Sequence, residues 1–282
     1  SSSEDIDSTV DKMNQVQEYR GPNGSGKFIN SQKNFGIKMC RLSILDLEFG
    51  TQPMHSIDDR YVIMFNGIIL NSPELRRELE NKNIKFLTKN SDTEVLLNIL
   101  IHYKTDGIRY LNGSFAFAFY DKKEQKLICG RDRFGLSPFY YLHKNNKFLF
   151  ASELKSILKS GHSNKELNRQ NLYHYLSLLW CPGPDTIIQD IKKLQPGCFL
   201  ELNIKNNECK IRKWHHINFE PDNSININEW KELILDALKN STKRSTLSDV
   251  PLACGLSGGL DSQSIVGILS SEKKIKYVLC SI

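Results

Sequence analysis

Between residues 61 and 214 the chain consists mostly of short apolar runs, each closed by a polar turn and answered by another run of similar length. Residues 115–120 are so strongly apolar that they read as a strand buried on both faces, and the run 126–130 after the polar turn 121–125 makes a hairpin with them. Residues 138–142 and 147–151 flank Lys144-Asn145-Asn146 in the same way, and residues 197–203 and 209–214 flank Lys205-Asn206-Asn207. Residues 61–65 form a further β-type run, ended by Asn66-Gly67. Two helices interrupt the pattern. One spans residues 73–80, with Ser72 as N-cap and Pro73 in the first helical position. The other spans 92–103, where Ser91 caps, Glu94 completes a capping box, and Val95, Leu96, Ile99 and Leu100 make one apolar stripe.

The pattern changes after residue 214. Residues 220–228 are polar and read as a linker, and residues 229–244 place Trp230, Leu233, Ile234, Ala237 and Leu238 at helical spacing. A short strand at 251–256, a glycine-rich turn, a helix over 262–269 and a strand from Ile275 follow. One β-α unit cannot cover both faces of a parallel sheet, so this second domain is expected to be truncated. The expected division is 1–214, a linker over 215–228, and 229–282.

The turn Ser257-Gly258-Gly259-Leu260-Asp261-Ser262 carries the clearest chemistry. Two glycines let backbone approach an anion, the helix start offers free N–H groups, and two hydroxyls add donors. A carboxylate beside phosphate needs a divalent cation between them, so Asp261 points to a magnesium-bound pyrophosphate as the ligand. Residues 21–27 also spell G-x-x-x-x-G-K, but Phe28 stands where Ser or Thr is required, and a loop is expected there.

Other classes are excluded by composition. The net charge of +6 is spread along the chain and reads as a solvated surface, not a nucleic-acid groove. No apolar run approaches the roughly 20 residues of a membrane span, and residues 1–7 are polar and acidic, so no membrane partner and no secretory signal is expected. The seven cysteines show no paired short spacing and sit mostly in apolar segments. Reduced thiols in a cytoplasmic protein are expected, not a disulfide framework or a zinc site.

Leu256–Ser262 (LSGGLDS), preceded by SDVP at 248–251, resembles the PP-loop of ATP-pyrophosphatases of the asparagine synthetase type. Upstream, YRGPNGSG at 19–26, RLSILDL at 41–47, FNG at 65–67, SDTE at 91–94, GRDRFGLSPFYY at 130–141 and FASELKSIL at 150–158 resemble the glutaminase domain of the same family, in order. The resemblance implies an α+β N-terminal-nucleophile sandwich of antiparallel sheets with flanking helices, followed by the first β-α unit of a truncated α/β PP-loop domain. It implies a glutamine-hydrolysing asparagine synthetase, a cytoplasmic ligase of amino-acid biosynthesis. Aspartate would be adenylated by ATP with Mg²⁺ as the substrate complex and amidated by ammonia from glutamine. It further implies a homodimer, and no tightly bound cofactor.

By the same resemblance, the oxyanion hole is the Asn66 side chain and the Gly67 N–H. Arg41 grips the glutamine α-carboxylate, a task suited to a planar fork, and Asp92 pairs with the α-ammonium. Leu42, Ser43, Ile44 and Leu45 line the pocket. On the ATP side, Leu256 makes a backbone contact, Ser257, Gly258, Gly259, Asp261 and Ser262 hold pyrophosphate with Mg²⁺, and Cys280 aligns with an adenine contact.

Three departures accompany the match. The family's starting cysteine, its nucleophile, and the strand that carries it are missing ahead of Ser1. Ile68 stands where the family has a glutamate after Asn-Gly, and Leu70 where it has a tyrosine. The synthetase region after Ile282 is missing. An amide-forming relative with an inactive glutaminase domain, of the β-lactam synthetase kind, and a non-catalytic remnant are the alternative readings.

Overall fold

The computed structural model describes residues 5–271 and 277–280, the last four without the side chains of Tyr277 and Cys280, and its described residues separate into two units: those up to 43 with 48–216, and 44–47 with those from 217 on.

In the first unit, α1 (Ile6–Gln15) precedes a hairpin of β1 (Ser25–Ile29) and β2 (Gly36–Cys40). Next come β3 (Met54–His55), β4 (Tyr61–Ile69), α2 (Ser72–Asn81) and α3 (Asp92–Tyr103). They are followed by β5 (Gly113–Asp121), β6 (Lys126–Arg131), β7 (Tyr140–Lys144), β8 (Lys147–Ala151), α4 (Leu154–Lys159) and α5 (Arg169–Leu178). The unit closes with β9 (Lys192–Lys193), β10 (Cys198–Asn203) and β11 (Glu208–Lys213). A six-stranded antiparallel sheet runs β11-β10-β6-β5-β4-β3, and facing it are a two-stranded piece, β1-β2, and a three-stranded piece, β8-β7-β9.

Alternation along the central strands sorts side chains between two cores. Phe115, Phe117 and Phe119 of β5 point with Tyr61, Ile63 and Phe65 of β4 toward Leu79, Leu96, Ile99 and Leu100 of α2 and α3. Ala116, Ala118, Val62, Leu127 and Leu200 point the other way, toward Phe35, Ile37, Phe139 and Tyr141 of the facing pieces. Beyond those pieces, Met13 of α1 and Ile157 of α4 pack with Leu142 and Ile188. The layers are therefore helix, sheet, sheet, helix, an antiparallel α+β sandwich as the resemblance implied. Gly130 faces Phe117 across the ladder, and a Cβ there would meet the Phe117 ring at 2.4 Å.

Several local expectations are corrected. β4 does not end at Asn66-Gly67; it continues through both to Ile69, paired with β5. Asn71, not Ser72, holds the N-cap position of α2. The capping box at α3 does not form: Ser91 makes no cap bond, and the Glu94 carboxylate instead accepts the N–H groups of Leu87 and Thr88, both at 2.7 Å. Residues 25–27 of the G-x-x-x-x-G-K string open β1 rather than lying in a loop. Helix α1, capped by Asp5, had no counterpart in the sequence reading.

In the second unit, α6 (Ile227–Arg244) starts inside the expected linker, where Asn226 and Glu229 form a capping box. β12 (Ala253–Leu256) leads into α7 (Leu260–Ser271) and pairs in parallel with β13 (Tyr277–Cys280). The expected strand residues Ile275, Lys276, Ser281 and Ile282 lie outside the described residues. Asp249 ties residues 44–47 into this unit: its N–H donates to the Ile44 carbonyl at 3.0 Å, and its Oδ2 accepts the Asp46 N–H at 2.7 Å. No described helix is long and apolar enough to cross a membrane.

Candidate functional site

Asp92 is the first residue of α3 and is 5% exposed. Its Oδ2 accepts the Ile69 N–H at 3.0 Å, and it also accepts the Thr93 N–H. Burial pushes its pKa up to about 6, against the opposing pull of these N–H groups and of the Arg41 charge. The chain thus gathers the carboxylate of Asp92, the guanidinium of Arg41 and the end of β4 in one region.

Arg41 follows β2 directly. Its N–H donates to the Gly24 carbonyl at 2.8 Å, and its own carbonyl accepts the Asn23 N–H at 3.0 Å. The Asn23 side chain accepts the Ser43 N–H at 3.1 Å, so residues 23 and 24 hold the backbone of 41–43 on both sides. A Cβ on Gly21 would meet the Cys40 carbonyl carbon at 2.4 Å, which is why that turn needs glycine. Leu42 is 55% exposed. Ile44 and Leu45 belong to the other unit and are not brought together with Arg41 by the first unit's own packing.

Asn66 and Gly67 are exposed on β4, opposite Ala116 and Phe115. Gly67 has φ +143°, and a Cβ on it would stand 2.0 Å from the Ser114 carbonyl oxygen. The backbone here is open to solvent on one side and pressed against β5 on the other. Ile68, half-buried, pairs with Ser114. No carboxylate stands at that position.

The sequence reading missed Gln52. Its Oε1 accepts the Phe65 N–H at 2.7 Å and its Nε2 donates to the Thr93 hydroxyl at 3.2 Å, so one side chain ties β4, just before Asn66, to α3, just after Asp92. A lone polar residue before Pro53 gives no sequence signal for that. It also missed Asp132, which is fully buried. Its carboxylate accepts the N–H groups of Phe115, Phe134, Leu136 and Ser137 at 2.9–3.1 Å. Arg131 completes the loop by donating to the carbonyls of Gly135, Ser137 and Leu194 at 2.6–2.7 Å. Phe134 and Leu136 project from it into solvent.

In the second unit, Ser257, Gly258 and Gly259 span the turn from β12 to α7. Gly258 has φ +80°, and the Ser262 hydroxyl lies 3.0 Å from the Gly259 carbonyl and 3.1 Å from the Ser257 hydroxyl. Gln263 donates to the Gly258 carbonyl at 3.0 Å. Asp261, in the first turn of α7, is exposed. Leu256 pairs through its backbone with Cys280, whose side chain lies outside the described residues.

Residues 1–215 match the model of a glutamine amidotransferase domain, and residues 233–281 match that of asparagine synthase. Asparagine synthetase [glutamine-hydrolyzing] 1 of Bacillus subtilis is 38% identical over 264 residues, 94% of this chain and 41% of that protein. A putative asparagine synthetase [glutamine-hydrolyzing] 2 of Methanocaldococcus jannaschii is 37% identical over 94% of this chain and 54% of its own length. Asparagine synthetase [glutamine-hydrolyzing] 3 of B. subtilis is 34% identical over 94% and 42%. The chain spans about half the length, or less, of these relatives. With three quarters of its residues inside the first match, and the site of the first unit built as described, the chain belongs to the glutamine amidotransferase domain family, followed by part of an asparagine synthase domain.

Proposed function

We propose that the first unit is a glutamine-binding glutaminase domain, and that it serves a ligase in which the second unit contributes the pyrophosphate grip for ATP. The observation that carries this reading is the buried Asp92 carboxylate, which accepts the Ile69 N–H at the end of the strand that bears Asn66-Gly67 and lies within electrostatic reach of Arg41. A free amino acid presents a carboxylate and an ammonium on one carbon, and a guanidinium beside a carboxylate is their complement. Arg41 takes the α-carboxylate and Asp92 the α-ammonium. The Asn66 amide and the Gly67 N–H then receive the oxyanion as the side-chain carbonyl is attacked. Leu42 and Ser43 border this region, with Ile44 and Leu45 assigned by resemblance.

By the family resemblance the nucleophile of such a domain is a cysteine thiol whose own α-amine acts as base. The thiol adds to the glutamine side-chain carbonyl, ammonia leaves with the proton, and water releases glutamate from the thioester.

In the second unit the substrate is the magnesium complex of ATP, held by the backbone at Leu256, by Ser257, Gly258, Gly259 and Ser262, and through the metal by Asp261, with Cys280 toward the adenine. The acceptor is aspartate, adenylated with loss of pyrophosphate and then amidated. The assembly is cytoplasmic and a homodimer.

Ile68 favours a second reading. An aliphatic side chain cannot accept from an ammonium group, and a charged hydrogen bond is worth about 1.5–3 kcal/mol. Glutamine is therefore held weakly, and a relative that uses free ammonia, or closes a different amide, follows from the same fold.

Calorimetric titration of this chain with L-glutamine tests the first reading. Binding lost in Arg41→Met and in Asp92→Asn, with D-glutamine inert, supports it; binding unchanged in both variants refutes it. Asparagine formation by the complete gene product from ammonium but not from glutamine would select the second.

A further inference from the structure

The residues that hold Arg41 are themselves held from a distant part of the chain. Residues 22–24 grip the backbone of 41–43. Pro22 bridges to Arg41, the Asn23 N–H donates to the Arg41 carbonyl, and the Asn23 side chain receives the Ser43 N–H. Yet residues 22–24 are exposed, and so is the helical turn Glu18–Arg20 that leads into them. Gly21, between the two, is buried, so close to the backbone of 40 and 41 that a Cβ would stand 2.4 and 2.5 Å from it. Apolar burial therefore contributes little to keeping this segment in place.

The turn is tied instead to Glu153. This residue occupies the N-cap position of α4, but its side chain makes no bond to its own helix. Its carboxylate accepts the Tyr19 hydroxyl and the Arg20 guanidinium, the latter at 3.1 Å, and pairs with Lys155 at 2.9 Å. Lys155 also stands over the Tyr19 ring, 4.3 Å from its centre. The Glu153 side chain is 16% exposed. Burial disfavours its charge, but the Tyr19 hydroxyl and the two cations outweigh this and hold its pKa below the ordinary value. An isolated surface ion pair is worth little; here a hydroxyl and two cations from two segments converge on one largely buried carboxylate.

We propose that Glu153 is a positioning residue for Arg41: through Tyr19 and Arg20 it anchors residues 20–24, and through them it fixes where the Arg41 guanidinium stands. The consequence for glutamine rests on the glutaminase reading; the anchoring itself does not. A guanidinium fork must meet both oxygens of a carboxylate at once, so a small displacement of its backbone weakens the grip. Asn66 and Gly67 lie on β4, paired with β5, and do not depend on this anchor. The loss expected without Glu153 is therefore in substrate binding and not in turnover.

Amide hydrogen exchange is compared in the native 282-residue chain, Glu153→Ala and Glu153→Gln. Exchange at Asn23, Arg41 and Ser43 is expected to quicken about ten-fold in Glu153→Ala, with residues 117–119 of β5 unchanged. Glu153→Gln, whose amide oxygen still accepts a bond, is expected to recover part of the protection. Unchanged exchange at Arg41 and Ser43, or equal quickening at 117–119, overturns the proposal. In the complete gene product, Glu153→Ala is expected to raise the glutamine KM about ten-fold with kcat within about two-fold, and to add nothing to Arg41→Met. A fall in kcat at unchanged KM, or a further rise in KM on top of Arg41→Met, overturns it as well. A native protein that releases no ammonia from glutamine counts against the glutaminase reading, and the exchange measurement then still decides whether Glu153 anchors Arg41.

Discussion

The Asp92 carboxylate accepts the backbone N–H of Ile69 at 3.0 Å, joining the first residue of α3 to the last residue of β4. This bond keeps an acidic group at the site, although burial disfavours its charge and raises its pKa from 3.8 to about 6. Because the folded value exceeds the unfolded one, the native state holds more protons between pH 4 and 6, and stability falls as pH rises through that window. Asp92→Asn cannot titrate. Its stability relative to the native chain is expected to climb from pH 4 to 6.5 and then level off, a change of about 3 kcal/mol in all. Urea unfolding at half-unit pH steps measures this, and a flat difference would refute the assignment.

Gly67→Ala is expected to cost roughly 2–4 kcal/mol, since the left-handed backbone and the approach to the Ser114 carbonyl both exclude a Cβ. Asn66→Ala, on an exposed side chain, is expected to stay within about 0.5 kcal/mol while weakening glutamine turnover in the complete protein. The pair, compared by urea unfolding and by ammonia release, separates a structural from a chemical contribution.

Asp132→Ala removes the acceptor of four backbone N–H groups at a fully buried position. A loss of about 3–5 kcal/mol is expected, with Asp132→Asn recovering part of it through its remaining carbonyl oxygen. Denaturant midpoints of the three proteins order them, and equal midpoints would refute the account.

Ser262→Ala removes the hydroxyl that lies against the Gly259 carbonyl and the Ser257 hydroxyl. Magnesium-ATP affinity is expected to fall about ten-fold, with a stability change below ~1 kcal/mol because the side chain is half-exposed. Titration with a fluorescent ATP analogue reads the affinity.

Periodicity made much of the fold legible. The bounds of α3 coincide with its stripe of Val95, Leu96, Ile99 and Leu100, and the hairpin of β5 and β6 lies where the polar turn predicts it. Local chemistry misled where a distant partner won. Asn66-Gly67 reads as a turn because the dipeptide favours one, yet pairing with β5 carries the strand through it. Glu94 has a capping-box position, but the N–H groups of Leu87 and Thr88 offered its carboxylate two donors at once. Helix α1 gives little sequence signal because Ile6, Val10 and Met13 make too short a stripe, and one of its polar side chains, Asn14, turns inward. Arg41 and Asp92 were found through a resemblance of motifs; Gln52, which ties their neighbourhood together, carries no motif of its own.

The loop around Asp132 takes most of its hydrogen bonds from beneath, through one carboxylate and the neighbouring guanidinium, and none of these from the side chains of Phe134 and Leu136. Leu136 and, apart from its ring contact with His215, Phe134 can therefore be exchanged while the hydrogen bonds of the framework that presents them stay in place. Such a rim can drift in evolution, or be rewritten by a protein engineer, one residue at a time.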